Sequence, residues 1–286
     1  MLRARMRGQP APSLTQPYRH LAKLLRKTTL VPDTATDMFT FWPLAAFIAF
    51  AVVTMLIPSF CTGMLTAGAS DDVTVIGLFA LGRVAMMLGG LETGSALGGA
   101  GVARMALSSL CTDATLLVLL LIFALITQST NLDQIVLAFA GRQVGLFVSM
   151  GFALAAMLLV ACLEIGHNPA TGQDLAMGQD RVTGEYSGRL LALLDYAAML
   201  RLLAWMNLVI CIFIPFGMAR AGSVLSWPEG LLLWGVKLLC LSLGLALFTT
   251  IRADISMRRV PMVLGLALCL GLLGSLLSMI LVKAGP

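Results

Sequence analysis

The sequence predicts an all-α membrane protein, a multispan transmembrane helical bundle of about seven spans, and three observations support this prediction. Hydrophobic residues make up 59% of the 286 residues and charged residues only 12%, with a mean hydropathy of +0.94. Polar surface is therefore too scarce for a soluble globule. Apolar runs of about 20 residues recur along the chain, as spanning helices require. The alternation over about ten residues that is typical of outer-membrane barrels is missing.

Residues 1–40 are predicted to be a basic cytoplasmic leader. Its cations are Arg3, Arg5, Arg7, Arg19, Lys23, Arg26 and Lys27. No apolar segment follows the first charges, which argues against a signal peptide. Within Tyr18–Lys27, Leu21, Leu24 and Leu25 share one helical face and cations occupy the other. This pattern favours an amphipathic helix at the membrane interface, and the alternative is a solvated basic tail.

The transmembrane bundle is predicted over residues 41–286. Each apolar run can cross a hydrocarbon core of about 30 Å at about 1.5 Å per residue. The predicted spans cover residues 41–62, 73–91, 105–127, 143–163, 190–217, 231–251 and 261–282.

The Lys and Arg residues predict the orientation of the bundle. When the loops alternate, the side of the leader carries thirteen of the nineteen cations, the other side carries three, and three lie within spans. Because cytoplasmic loops are enriched in Lys and Arg, the N-terminus is predicted in the cytoplasm and the C-terminus outside. The loop over residues 164–189 and the glycine-rich segment Gly89–Gly101 then face the cytoplasm.

Charge within the predicted spans and in the 164–189 loop is the main candidate for function. A charged residue at the bilayer centre costs on the order of 3 kcal/mol, so each needs a partner, water or a role. The charges within spans or at their ends are Arg83, Glu92, Arg104, Asp113, Glu164, Asp195, Arg201 and Lys237. Two interpretations stay open: interhelical ion pairs that fix the packing, or a chain of ionisable groups and water that moves protons.

The glycines and cysteines point to packing rather than to cofactor chemistry. Gly89–Gly101 lacks the lysine and the preceding strand of a nucleotide-binding loop, and small residues in a membrane bundle allow close approach. The six cysteines are scattered singly, with no CxxC pair. We therefore predict no iron–sulfur centre and no zinc in this chain.

The order of motifs resembles the subunit 1 family of respiratory complex I. Within that family it is most similar to the membrane anchor subunit of formate hydrogenlyase and energy-converting nickel–iron hydrogenases. The motifs are GLETGSALGGAGVAR (Gly90–Arg104), Asp113, Glu164 at the end of a span, NPAT (Asn168–Thr171), EYSGR (Glu185–Arg189), and LLLWGVKLL before IRADISMRRVP.

The resemblance implies a non-catalytic membrane subunit of an oxidoreductase complex in the cell inner membrane. It implies no cofactor in this chain, and partner subunits that carry the nickel–iron site and iron–sulfur clusters. The expected partners are hydrogenase large and small subunits, an iron–sulfur subunit, antiporter-like membrane subunits and membrane lipid, with no nucleic acid. The ion-path candidates are Glu92, Asp113, Glu164, Asp174, Asp180, Glu185, Asp195 and Lys237. The docking candidates are Arg104, Arg189, Arg252, Arg258 and Arg259.

The chain departs from the family pattern in three places. The family usually has eight spans, with a helix before the basic leader, and this sequence starts directly at the leader, so the first span is expected to be misassigned, truncated or lost. Only three residues separate Glu164 from the NPAT motif, where the family has a longer segment. Asp174 stands where the family tends to have glutamate, and Gln179 and Asp180 replace a His-Glu pair. These departures bear on proton coupling more than on docking.

The hypothesis is an anchor for the hydrogenase arm that contributes to proton or sodium translocation. One alternative is the quinone-site subunit 1 of an NADH dehydrogenase, against which the shorter acidic loop and the NPAT motif argue. The other is a stand-alone secondary transporter, which an internal repeat would favour, and no convincing repeat is seen.

Overall fold

The computed structural model describes residues 15–141, 148–164, 182–222, 226–251 and 260–284. In these ranges the α-helices are α1 (Gln16–Arg26), α2 (Phe41–Leu56), α3 (Asp72–Glu92), α4 (Ala96–Thr127), α5 (Leu132–Ala140), α6 (Val148–Glu164), α7 (Gly188–Phe213), α8 (Trp227–Ile251) and α9 (Val260–Ala284). Short 3-10 helices cover Asp37–Thr40 and Leu65–Ala69. Strands β1 (Cys61–Thr62) and β2 (Ala219–Arg220) pair in parallel, with Cys61 opposite Ala219.

A helix forms at each of the seven predicted spans. Five helical segments of the described chain are long and apolar enough to cross a membrane: Asp37–Leu56, Asp72–Glu92, Ala96–Thr127, Gly188–Phe213 and Trp227–Leu247. The described apolar stretches in α6 and α9 are shorter, Gly151–Ala161 and Met262–Leu277. The all-helical membrane architecture is thus confirmed.

The structure corrects the sequence prediction in three details. Helix α4 begins at Ala96 rather than at residue 105, because the Ser95 hydroxyl caps it by accepting a hydrogen bond from the Gly98 N–H at 2.8 Å. Helix α5 was not predicted, since its nine residues are too few to span a membrane. The β1–β2 pair adds a short strand contact to a fold predicted as all-α.

Helix α2 lies at the centre of the packing, between α3 and α7. Helix α3 also packs against α4, and α9 packs against α4 and α6. The rings of Phe50, Phe79 and Trp205 join α2, α3 and α7, with centroids 6.3 Å apart for the first pair and 5.5 Å for the second. Such aromatic contacts add to the packing of helices whose outer faces are apolar.

The connecting segments gather into two groups, one at each end of the bundle. The leader end consists of residues 15–40, 92–95 and 182–187. There the Leu30 N–H donates to the Ser187 hydroxyl at 2.9 Å, and the Thr34 hydroxyl donates to the Thr93 carbonyl at 3.2 Å. These are the segments that the charge count assigned to one side of the membrane, and their contacts agree with the predicted alternation of loops.

The opposite end consists of residues 57–72, 128–133 and 214–222. It contains the β1–β2 pair, and the Asn131 side-chain amide donates to the Ala67 carbonyl at 2.7 Å. The Gly63 N–H donates to both carboxylate oxygens of Asp133, at 3.1 and 3.2 Å. The loops predicted to lie outside thus also contact one another.

Glycines bring α3, α4 and the segment before α7 close together. A Cβ atom at Gly89 would lie 2.3 Å from the Tyr186 hydroxyl, and one at Gly90 would lie 2.8 Å from Val182. A Cβ at Gly98 would lie 2.5 Å from the Gly90 carbonyl oxygen. The close-approach interpretation of the glycine-rich segment is therefore confirmed at these three positions.

We expect Gly98→Ala to destabilise the protein by about 1–3 kcal/mol, the usual effect of forcing extra volume into a packed site. The new methyl group would collide with backbone that cannot move without opening the turn between α3 and α4. Gly99→Ala is the matched control, because nothing lies within 4 Å of a Cβ at that position. The control should be neutral or gain up to about 1 kcal/mol of helix propensity. Thermal unfolding in detergent measures both variants, and equal midpoints would contradict the packing argument.

Candidate functional site

Two carboxylates lie at the leader end of the bundle. Glu92 is the last residue of α3, and its carboxylate accepts hydrogen bonds from the Trp42 indole N–H at 3.2 Å and from the Thr36 hydroxyl. Glu185 precedes α7, and its carboxylate accepts a hydrogen bond from the Ser95 hydroxyl. Both side chains are half-buried. The structure therefore anchors two of the ion-path candidates, which are distant in sequence, around the α3–α4 turn.

Tyr186 completes this acidic cluster, which we define as Glu92, Glu185 and Tyr186. Its ring stacks on Phe39 with centroids 4.3 Å apart, and the residue is 4% exposed. Its hydroxyl has no hydrogen-bond partner among the described residues. Burial raises the pKa of this hydroxyl, and the charges of Glu92 and Glu185 raise the pKa further.

The chemistry of the cluster suits proton exchange. Hydrogen bonds from Thr36 and Trp42 lower the pKa of Glu92, so the cluster holds a carboxylate beside a neutral phenol, which can donate and accept a hydrogen bond. The space that Gly89 leaves free is the space that the Tyr186 hydroxyl occupies. The missing side chain at Gly89 thus makes room for the Tyr186 hydroxyl in the cluster.

A second charged site lies deeper in the bundle. Arg83 on α3 forms a salt bridge with Asp113 on α4. Arg83 is 1% exposed, and its guanidinium carbon lies 6.0 Å from the centroid of the Phe79 ring. Nine residues separate Arg83 from Glu92, or roughly 13 Å along the helix at about 1.5 Å per residue. Asp113 is thus held in an interhelical ion pair, apart from the acidic cluster.

Asp195 lies on α7 beneath the leader helix. Its carboxylate is 3.8 Å from the imidazole Nε2 of His20 on α1, and Leu24 of α1 is 6% exposed against the bundle. Arg201, six residues further along α7, is also buried, at 6% exposure. Asp195 therefore meets a different helix, as the spacing of the two charges predicted.

Lys237 belongs to the opposite end of the bundle rather than to the acidic cluster. Its ammonium group donates to the Ile214 carbonyl at 2.8 Å and to the Phe216 carbonyl. These carbonyls follow the end of α7 and have no helical partner of their own, so a cation there stabilises the helix terminus.

The remaining sequence candidates fall into two groups. Arg104 on α4 and Arg189 on α7 are exposed. Asp174, Asp180, Arg252, Arg258 and Arg259 lie outside the described residues, and Glu164 ends α6 with a side chain that is also outside the description.

The sequence reasoning missed three residues. Tyr186 lies within the EYSGR motif, and its position beside Glu185 is the sequence signal that could have identified it. Asp133 is 5% exposed and binds the Gly63 N–H, and Asp72 is 4% exposed at the start of α3. Asp72 and Asp133 each lie at the edge of an apolar run. A carboxylate at such a position is equally consistent with a solvated helix cap, so the sequence did not single them out.

The chain is similar to known proteins in sequence and in fold. Hydrogenase-4 component C of Escherichia coli (strain K12) is 31% identical over 227 residues, which cover 78% of this chain and 71% of that protein. Formate hydrogenlyase subunit 4 of the same organism is 26% identical over 264 residues, which cover 90% and 85%. A chain of the membrane-bound sulfane sulfur reductase, an archaeal respiratory membrane complex, shares the fold with a TM-score of 0.80 at 19% identity, over 97% of this chain and 91% of that one.

The match to a family covers nearly the whole sequence. The family described as NADH dehydrogenase matches residues 2–283. This range includes the acidic cluster, the Arg83–Asp113 pair and all described helices except the final residue of α9, Ala284. The chain is therefore a member of the NADH dehydrogenase subunit 1 family.

Proposed function

We propose that this chain is an inner-membrane subunit of a formate hydrogenlyase-like or energy-converting hydrogenase complex. In this role it anchors the cytoplasmic nickel–iron hydrogenase arm and contributes to proton or sodium translocation. All seven apolar helices cross the membrane, with the leader end in the cytoplasm. The two Escherichia coli relatives, named as a hydrogenase component and a formate hydrogenlyase subunit, support the choice of complex.

The acidic cluster is the observation that carries this proposal. It joins the leader, the α3–α4 turn and the start of α7 at one end of the bundle, through hydrogen bonds to Trp42 and Ser95. Both carboxylates are only half-buried and are hydrogen-bonded, so they are held in place while they remain accessible from the leader end. A catalytic arm seated on the leader end would lie directly over groups that can take up protons.

Copurification tests the proposed assembly. Membranes containing a tagged full chain, extracted in mild detergent, should yield a complex that holds a nickel–iron hydrogenase large subunit and antiporter-like membrane proteins. Mass spectrometry identifies the components. A stable monomer that transports a solute on its own would contradict the proposal.

We expect Arg104→Gln combined with Arg189→Gln to weaken arm docking in a salt-dependent manner. Both side chains are exposed, and exposed ion pairs contribute up to about 1 kcal/mol each, so the double variant should lose several-fold in retention. Retention of the hydrogenase large subunit during a salt wash is the measurement.

Arg220→Gln is the matched control for docking, because Arg220 is also an exposed cation but belongs to the opposite end. Its retention should equal that of the unaltered chain at every salt concentration. If the double variant and this control lose the arm equally, the leader end is not the docking surface.

A further inference from the structure

Asp72 is a buried carboxyl group at the opposite end of the bundle. It is the first residue of α3 and is 4% exposed, and neither carboxyl oxygen has a hydrogen-bond partner in the described chain. The neighbouring acids differ in this respect. Asp71 accepts a hydrogen bond from the Thr130 hydroxyl at 3.0 Å, and Asp133 accepts two from the Gly63 N–H. Asp72 is thus set apart by its lack of a partner.

The backbone around Asp72 is firmly held. Its own N–H donates to the Thr130 carbonyl at 2.9 Å, and the Leu132 N–H donates to the Ser70 carbonyl at 2.8 Å. The Ser70 hydroxyl donates to the Leu56 carbonyl at 2.8 Å. Three hydrogen bonds between separate segments thus fix the backbone beside Asp72.

The described ionisable groups that interact with Asp72 carry no positive charge. Asp71 on its own turn and the Cys211 thiol on α7 are the groups that interact with it electrostatically. Asp133, on the neighbouring helix α5, is a third acid. An ionised carboxylate without hydrogen-bond donors or a counter-charge is strongly disfavoured in such surroundings. A carboxyl group at this position is stable with a proton on it, or with another cation bound.

A cavity at the same end of the bundle comes within two residues of Asp72 along the chain. An open cavity of about 270 Å³ occurs at the same end, and Ser70, two residues before Asp72, is part of its wall. Its polar lining residues are Thr54, Ser59, Thr66, Ser70 and Asp133. Most of the wall is apolar, but the cavity is open to solvent and its volume suits several waters beside these polar groups. Asp72 itself does not line the cavity, so a proton released there would reach the cavity water past Ser70.

We propose that Asp72 is a proton-binding site at the opposite end of the bundle, which exchanges its proton with water in the cavity that Ser70 lines. This inference rests on the ion translocation in the proposed function, and it adds an acid to the outer end of a path that the acidic cluster begins. In the exchange, the carboxyl group releases its proton to water as hydronium and regains one in the same way.

Modification by dicyclohexylcarbodiimide tests this site in membranes containing the full complex. The reagent attacks protonated carboxyl groups in apolar surroundings: the carboxyl proton moves to a carbodiimide nitrogen, and the carboxyl oxygen bonds to the central carbon. Peptide mass spectrometry should find the adduct at Asp72, less of it as the pH rises, and none in Asp72→Asn. Asp71 should stay unmodified. Constant labelling across pH, or protection of Asp72 by sodium ions at fixed pH, would overturn the proposal.

A second measurement covers the case in which the reagent cannot enter. Infrared difference spectra between low and high pH should show the carbonyl band of a protonated carboxyl group, and Asp72→Asn should remove it while Asp71→Asn keeps it. Identical bands in the two variants would also overturn the proposal. Both measurements report on Asp72 and not on the identity of the partner subunits. They can succeed even if copurification shows different partners, and fail even if the hydrogenase arm is found.

Discussion

Replacing Glu185 with glutamine is expected to abolish most ion translocation while the complex stays assembled. The amide is nearly the same shape, and its oxygen can still accept the hydrogen bond that the Ser95 hydroxyl gives to Glu185. It cannot take up a proton at neutral pH, however. Loss of a positioned proton-transfer group lowers rates on the order of a hundredfold, and we expect a loss of that size. Glu92→Gln should behave in the same way, because Glu92 shares the cluster.

Two readouts distinguish a loss of proton translocation from a loss of hydrogenase activity. A pH-sensitive dye in inverted membrane vesicles reports proton movement, and hydrogen evolution by the same vesicles reports the catalytic arm. Glu229→Gln is the matched control, since Glu229 is an exposed glutamate on the first turn of α8, beyond the cluster. Equal translocation in Glu185→Gln and in this control would remove the acidic cluster from the path. Dissociation of the complex in Glu185→Gln alone would assign that residue to assembly.

The spanning helices could be predicted from the sequence because each one depends on the residues of its own segment. Each spanning helix satisfies its own backbone hydrogen bonds, so a long apolar run is sufficient evidence for it. Helix α5 was not predicted because its nine residues are too few to span a membrane. Its burial depends on neighbours from other parts of the chain. The early start of α4 depends on one serine cap within a glycine-rich segment that also looks like a loop.

The candidate site could be predicted only as a set of residues, not as an arrangement. The motifs named Glu92 and Glu185, which are 93 positions apart, but no pattern in the sequence shows that both meet at the α3–α4 turn. Tyr186 becomes part of the cluster only because Gly89, on another helix, leaves room for its hydroxyl. The separation of Lys237 from the cluster follows from the end of α7, a boundary that hydropathy placed at residue 217 and the structure places at Phe213.

Replacing Arg83 with methionine is expected to have the largest effect on stability. Arg83 is 1% exposed and forms an ion pair with Asp113 across the α3–α4 contact. Removing one partner of a buried ion pair leaves the other charge uncompensated, which costs about 3–5 kcal/mol. Unfolding of the purified chain by denaturing detergent should therefore occur at a clearly lower detergent fraction than for the unaltered protein.

The double variant Arg83→Met with Asp113→Leu decides what the pair does. If the pair only fixes the packing of α3 on α4, removing both charges restores most of the stability and leaves translocation intact, because a well-packed apolar pair can replace a buried ion pair. We expect this result, since the two side chains bind each other roughly 13 Å along α3 from Glu92. A double variant that folds well but no longer moves ions would place Asp113 on the path, with Arg83 as its counter-charge. A double variant as unstable as Arg83→Met would show that the guanidinium acts through Phe79 and its other neighbours rather than through Asp113.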